Sequence, residues 1–177
     1  MRVIAGELGG RRLQTPRGEA TRPTSGRVRE ALFAMLGDIA GAVVLDLFAG
    51  SGALGIEALS RGAARATFVE RAPKALGALR ANIDTLELAG RSEILARDAI
   101  SALRGPAIYD LVFLDPPYAM APELSPALSQ RLPGALAPGA RVVSESDRRA
   151  PLELALPLLR ERGYGDTMIR IHETSAP

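Results

Sequence analysis

The chain has 177 residues, of which 47% are hydrophobic and 24% charged. That is globular composition on the scale of one domain. It contains no cysteine and one histidine, His172. Disulfides, thiolate metal sites and cysteine nucleophiles are therefore excluded, and histidine-based triads are disfavoured. No apolar run reaches bilayer-spanning length and no signal peptide opens the chain, so a cytoplasmic protein without membrane partner is expected.

Net charge is only +2, but it is unevenly spread. Residues 1–30 hold seven arginines against three glutamates, net +4, and the remainder is net −2. A basic arm on a mildly acidic body suggests a polyanionic partner. Of the 22 basic residues only Lys74 is a lysine, a bias that coding composition alone would also produce. Basic residues thin out after Arg104, so no second basic surface is expected.

In chain order, residues 2–14 read as two short extended pieces around Gly9-Gly10. Residues 15–23 are broken by proline and glycine and read as a loop. Thr24 or Ser25 can cap a helix running to about Leu36, with Val28 and Leu32 on one face. This arm, 1–37, is too small to fold alone and is expected to pack on a second unit, 38–177.

From Ala42 onward, short apolar runs alternate with helical stretches. The runs are 43–48, 66–70, 92–96, 110–115, 140–145 and 164–171. Helices are expected near 52–61, 72–88, 98–104, 122–132 and 151–162. Continuous apolar strands between helices predict a mostly parallel sheet covered on both faces.

Ligands bind such sheets at the carboxyl ends of the strands. The first strand ends in Asp46-Leu47-Phe48-Ala49-Gly50-Ser51-Gly52, and Gly50, Gly52 and Gly55 match GxGxxG at a strand–turn–helix junction. A nicotinamide or flavin site, or simply a tight turn, would read the same way. The second strand ends in Glu70-Arg71, 20 residues after Gly50. There a carboxylate can accept both hydroxyls of an adenosine ribose. The third ends in Asp98-Ala99, where Asp98 can cap the next helix, accept from an adenine amine, or do both.

The fourth ends in Asp115-Pro116-Pro117-Tyr118, the most specific signal in the chain. The prolines fix a rigid turn that lacks amide donors. Asp115 and the Pro116 carbonyl can accept both hydrogens of an exocyclic NH₂ group, and Tyr118 can stack on the base that carries it.

A DxFAGSG loop followed by DPPY resembles the class I S-adenosylmethionine-dependent methyltransferases that modify exocyclic amines. The stretch from Thr21 through Arg22, Pro23, Thr24, Ser25, Gly26 and Arg27 to Phe33 is similar to one family among them. So are Arg2-Val3-Ile4-Ala5-Gly6, Gly10-Arg11-Arg12-Leu13 and Tyr164-Gly165-Asp166-Thr167. That family is RsmD, the bacterial 16S ribosomal RNA guanine-N2 methyltransferases, and the likeness covers nearly the whole chain.

The resemblance implies a Rossmann-like, seven-stranded sheet whose last strand runs antiparallel. The residues themselves read as six strands, and the seventh is expected within 148–158. The resemblance further implies S-adenosylmethionine as cofactor, no metal, and 16S ribosomal RNA or the assembling small subunit as partner. Asp46 would meet the methionine amino end. Phe48, Ala49, Gly50, Ser51, Gly52, Glu70, Arg71, Asp98 and Ala99 would line the cofactor site. Asp115, Pro116, Pro117 and Tyr118 would carry the chemistry. On the RNA side, Arg2, Arg11, Arg12 and Arg17 would hold phosphates, while Arg22, Thr24 and Arg27 would pack near the mouth of the cofactor site. The rival readings are an adenine amino-methyltransferase acting on DNA or RNA, and a non-catalytic nucleotide- or RNA-binding module.

Overall fold

The computed structural model describes residues 1–16, 26–105 and 108–174, with Tyr118 described in its backbone alone. Seven strands form one sheet: β1 (Val43–Asp46), β2 (Arg65–Glu70), β3 (Ser92–Ala96), β4 (Tyr109–Leu114), β5 (Leu136–Asp147), β6 (Leu158–Tyr164) and β7 (Thr167–Glu173). Five helices accompany them: α1 (Gly26–Leu36), α2 (Ala53–Ser60), α3 (Pro73–Thr85), α4 (Ala99–Ala102) and α5 (Ala121–Arg131).

The strand order is β3-β2-β1-β4-β5-β7-β6. The β3-β2-β1-β4-β5 block is parallel, and only β7 runs against its neighbours. The chain winds outward from β1 to β3, then returns to place β4 on the other side of β1. That reversal opens a crevice above the carboxyl ends of β1 and β4.

The continuous apolar runs are what a sheet buried on both faces demands. Leu45, Val112, Leu114 and Val142 project to one face, with Leu128, Leu132 and Leu152. Val44, Phe68, Leu111, Phe113 and Val143 project to the other, with Leu32, Phe33, Ile56, Leu59, Leu79 and Ile83. Val3 and Leu13 of the arm are 2% and 4% exposed and join this second layer. The arm therefore shares a core with the sheet.

Four expectations about local structure are corrected. Residues 151–162 do not form a helix: 151–157 are irregular, with a bend at 155–156, and β6 begins at Leu158. Pro151 and Pro157 bracket this stretch, and Leu152, Leu154 and Leu156 reach one core layer at a spacing of two. That is the period of extended chain, and a mid-helix Pro157 would remove an amide donor and clash. The seventh strand thus lies at 158–164 rather than within 148–158. The last strand begins at Thr167, after a turn at Gly165 (φ 60°). The helix expected at 98–104 is a single turn, α4.

The hairpin of the arm reduces to one antiparallel bridge, Arg2 to Arg12. Its seat comes from elsewhere. Glu57 of α2, fully buried, accepts from the amides of Ile4 (2.7 Å) and Ala5 (3.0 Å) and from Arg61 Nε (2.8 Å). Ser60 Oγ accepts from Leu8 N and donates to the Ala5 carbonyl. Arg29, 2% exposed, donates to the Arg2 carbonyl at 2.6 Å and meets the Met1 sulfur at 2.7 Å. Glu7 pairs with Arg91.

Candidate active site

A cavity of about 750 Å³ occupies the crevice. That volume lies within the usual range for small-molecule sites. Its walls are the strand ends singled out above: Asp46 to Ser51 after β1, Glu70 and Arg71 after β2, Asp98 and Ala99 after β3, and Asp115 to Pro117 after β4. Met1, Thr15 and Pro16 close it from the arm side, and Met120 and Leu124 add apolar surface.

Each turn is shaped by identifiable forces. The β1–α2 turn crosses left-handed space at Gly50 (φ 55°) and Gly52 (φ 86°). A Cβ at Gly55 would sit 2.3 Å from the Phe68 ring, so α2 packs on β2 at a distance only glycine allows. Gly52 does not line the cavity. A Cβ there would meet Leu79 Cδ1 at 2.6 Å, so the conformation and packing of the loop require this glycine.

Asp46 is the electrostatic centre of the site. Its Oδ2 accepts from Gly55 N at 3.0 Å, and its Oδ1 is buried with no partner. Burial pushes this carboxyl up to about 7, opposed by the Gly55 amide and reinforced by the charge of Glu70. A buried acceptor left open on a cavity wall suits a cationic or N–H donor.

Glu70 is more occupied than its position suggested. Oε2 accepts from Gly50 N at 2.8 Å, while Oε1 accepts from the amides of Arg71 and Ala72, both at 2.7 Å. It fastens the glycine loop to the entry of α3, leaving lone-pair capacity on Oε2. Asp98 caps α4, with Oδ1 accepting from Ile100 N (3.0 Å) and Ser101 N (3.2 Å). Its Oδ2 lies 3.7 Å from Arg71 Nη1, joining the second and third strand ends across the cavity rim.

After β4, Pro116 is buried, Asp115 half-buried and Pro117 exposed. Pro117 accepts from Met120 N through its carbonyl at 2.8 Å, closing the turn. The backbone of Tyr118 starts this turn, and its side chain lies outside the described residues.

The arginines expected to hold RNA divide into three groups. Arg17 and Arg22, with Thr24, lie outside the described residues. Arg12 and Arg27 are exposed. Arg2 and Arg11 are also exposed and spend one nitrogen each on the carbonyls of Gly10 and Thr85.

Sequence reasoning missed Glu57 and Asn82, and the bonds by which Arg29 holds the Arg2 carbonyl and Met1. Asn82, 1% exposed, accepts from Gln14 N (2.7 Å) and donates to the carbonyls of Gln14 (3.0 Å) and Ser51 (2.9 Å). It ties the arm to the glycine loop. A signal was present: Asn82 sits beside Ile83 on the buried face of α3, and Glu57 interrupts an otherwise apolar helix. Polar groups at such positions need partners.

Among the described residues, no group of three or more acidic, histidine or cysteine side chains could hold a metal, and no helix is long and apolar enough to cross a membrane.

Comparison with known proteins agrees with this geometry. A Haemophilus influenzae protein named Ribosomal RNA small subunit methyltransferase D is 35% identical over 182 residues, 98% of this chain and 93% of that one. The Escherichia coli K12 protein of that name is 44% identical over 120 residues, covering 67% of this chain and 60% of its own length. The solved structure of yhhF from Escherichia coli superposes with a TM-score of 0.83 at 37% identity, covering 100% and 99% of the two chains. The sheet is that of a Rossmann-like class I methyltransferase. The model of the family described as Conserved hypothetical protein 95 matches residues 1–173, and the chain belongs to that family, the RsmD family.

Proposed function

We propose that the chain transfers a methyl group from S-adenosylmethionine to the exocyclic N2 amine of a guanine in 16S ribosomal RNA. The observation that carries this reading is one cavity that joins the Asp46–Gly50–Glu70–Asp98 walls to the Asp115-Pro116-Pro117 turn. The names of the relatives support ribosomal RNA as the substrate class.

The set of acceptors fits the cofactor. The unpartnered Oδ1 of Asp46 would receive the methionine ammonium. Glu70 would hold the ribose hydroxyls, and Asp98 would accept from the adenine amine. When bound, S-adenosylmethionine supplies a methyl group already activated by its sulfonium.

The protein's task is then positioning. The N2 lone pair is conjugated with the guanine ring and is a weak nucleophile. Asp115 and the Pro116 carbonyl accept the two N2 hydrogens and turn the lone pair out of conjugation toward the methyl group. Tyr118 stacks on a guanine that has left its own stack. The proton leaves after transfer, so no strong base is required. Asp115 is the catalytic residue in this scheme.

The deciding experiment supplies radiolabelled cofactor to small-subunit RNA and to particles from cells lacking this enzyme, then analyses the nucleosides. N2-methylguanosine is expected. Label in N6-methyladenosine, or in no nucleoside, would overturn the reading. A cytoplasmic site of action accompanies this proposal.

A further inference from the structure

The thin scatter of arginines after Arg104 gathers in space. Arg148 and Arg149 follow β5, and Arg162 lies near the end of β6. All three surround the Gly165-Asp166 turn between β6 and β7, part of the Tyr164–Thr167 stretch that the chemistry leaves unused. Arg148 N donates to the Asp166 carbonyl at 2.7 Å, fixing the two loops together. The Arg162 guanidinium carbon lies 5.6 Å over the Tyr164 ring. The Arg148 guanidinium lies beside Gly163, 3.7 Å from where a Cβ would stand.

Charge at this corner is not balanced pair by pair. Arg149 meets Asp166 at 3.6 Å, and Asp147 is occupied by the Arg149 amide. Arg148 and Arg162 are exposed and have no ion pair among the described residues. Two cationic forks therefore stand open beside an aromatic ring, a set that suits phosphate.

The position points to the occupant. The strand β6 runs in the same direction as β5, because both are antiparallel to β7. The corner thus lies at the same end of the sheet as Asp115. The cofactor walls occupy the β1-β2-β3 half, whereas β5, β7 and β6 lie on the far side of β4. Three strand spacings separate β4 from β6, about 14 Å. A nucleic-acid strand that delivers a base to Asp115 has nucleotides on both sides of it, and one side crosses this half.

We propose that Arg148 and Arg162 form a second phosphate-holding surface, for the RNA strand flanking the target base. It rests on the reading of the chain as a ribosomal RNA methyltransferase, and it gives the Tyr164–Thr167 turn a role distinct from the basic arm.

The test uses the full chain, a 16S ribosomal RNA transcript and purified small-subunit particles. In Arg148→Glu/Arg162→Glu, RNA affinity at low salt falls at least tenfold. The slope of log affinity against log salt flattens by about 1.4–1.8, for two lost contacts. In Arg148→Gln/Arg162→Gln, the slope changes equally with a smaller loss of affinity. Cofactor affinity and melting temperature stay at wild-type values. Wild-type slope and affinity in both double variants would overturn the proposal. So would retained binding to the transcript with lost binding to particles, which would mark the corner as a dock for a ribosomal protein. A wild-type chain that binds no ribosomal RNA would overturn the proposed function itself, an outcome visible before any variant is made.

Discussion

Replacing Asp46 by asparagine separates the cost of this carboxylate from its use. In the folded protein its carboxyl is raised from 3.8 to about 7, chiefly by burial. A raised carboxyl means that the folded state holds its proton where the unfolded chain has lost it. The group therefore adds no penalty at pH 4, and it destabilises the fold progressively as pH rises to 7. About three units at 1.36 kcal/mol each set a ceiling of about 4 kcal/mol on that penalty. Asparagine keeps the shape and an acceptor for the Gly55 amide, and removes the charge. Without cofactor, Asp46→Asn should be more stable than wild type at pH 8, by up to about 4 kcal/mol. That is some 2–4 °C in melting temperature per kcal/mol for a chain of this size. The difference should shrink to about 1.7 kcal/mol at pH 5 and nearly close below pH 4. Cofactor affinity should move the other way, because the variant has no charge for the ammonium. In the wild type that affinity should fall about tenfold per pH unit below about 7. Denaturant melts at pH 5 and 8, with calorimetric titration of the cofactor, measure both. A variant less stable than wild type at pH 8, or a stability difference independent of pH, would refute the reasoning.

Asp115→Ala should abolish methyl transfer and leave cofactor affinity within about twofold; normal turnover would remove Asp115 from the mechanism. Gly55→Ala should cost several kcal/mol, about 3, because its Cβ would enter the Phe68 ring, and a denaturant midpoint reads this directly. Glu57→Ala strands the Ile4 and Ala5 amides and the Arg61 charge, a loss of about 3–5 kcal/mol. Faster hydrogen exchange at Ile4 and Ala5 than in β1 or β4 should accompany it. Arg11→Glu/Arg12→Glu should weaken RNA binding and flatten its salt dependence, with melting temperature nearly unchanged.

Much of the sheet was legible because the central parallel strands β1, β2 and β4 are covered on both faces, which writes them as apolar runs between helices. The strand ends followed, since the fold places ligands there whatever the chemistry. What failed was the 151–164 stretch. Its leucines recur often enough to suggest a helix, and the decisive signal was Pro157. Strand β6 also sits at an edge, with Leu158 and Leu159 about half exposed, so it lacks the apolar pattern that marks the others. The arm's clasp was illegible for a different reason. Glu57, Ser60 and Asn82 bind backbone groups of residues 4–14, and backbone partners leave no mark in sequence. The dual service of Glu70 was hidden in the same way.

The placement of β7 has a consequence for how the molecule is made. This strand is synthesised after β5 and β6, yet it lies between them. Until it arrives, β6 has no neighbour to pair with and β5 presents an open edge. The sheet can be completed only after Glu173 has been made, since Arg141 pairs with it. A nascent chain that stops before Thr167 would carry a finished cofactor half and an unpaired far half, with an exposed strand edge open to association.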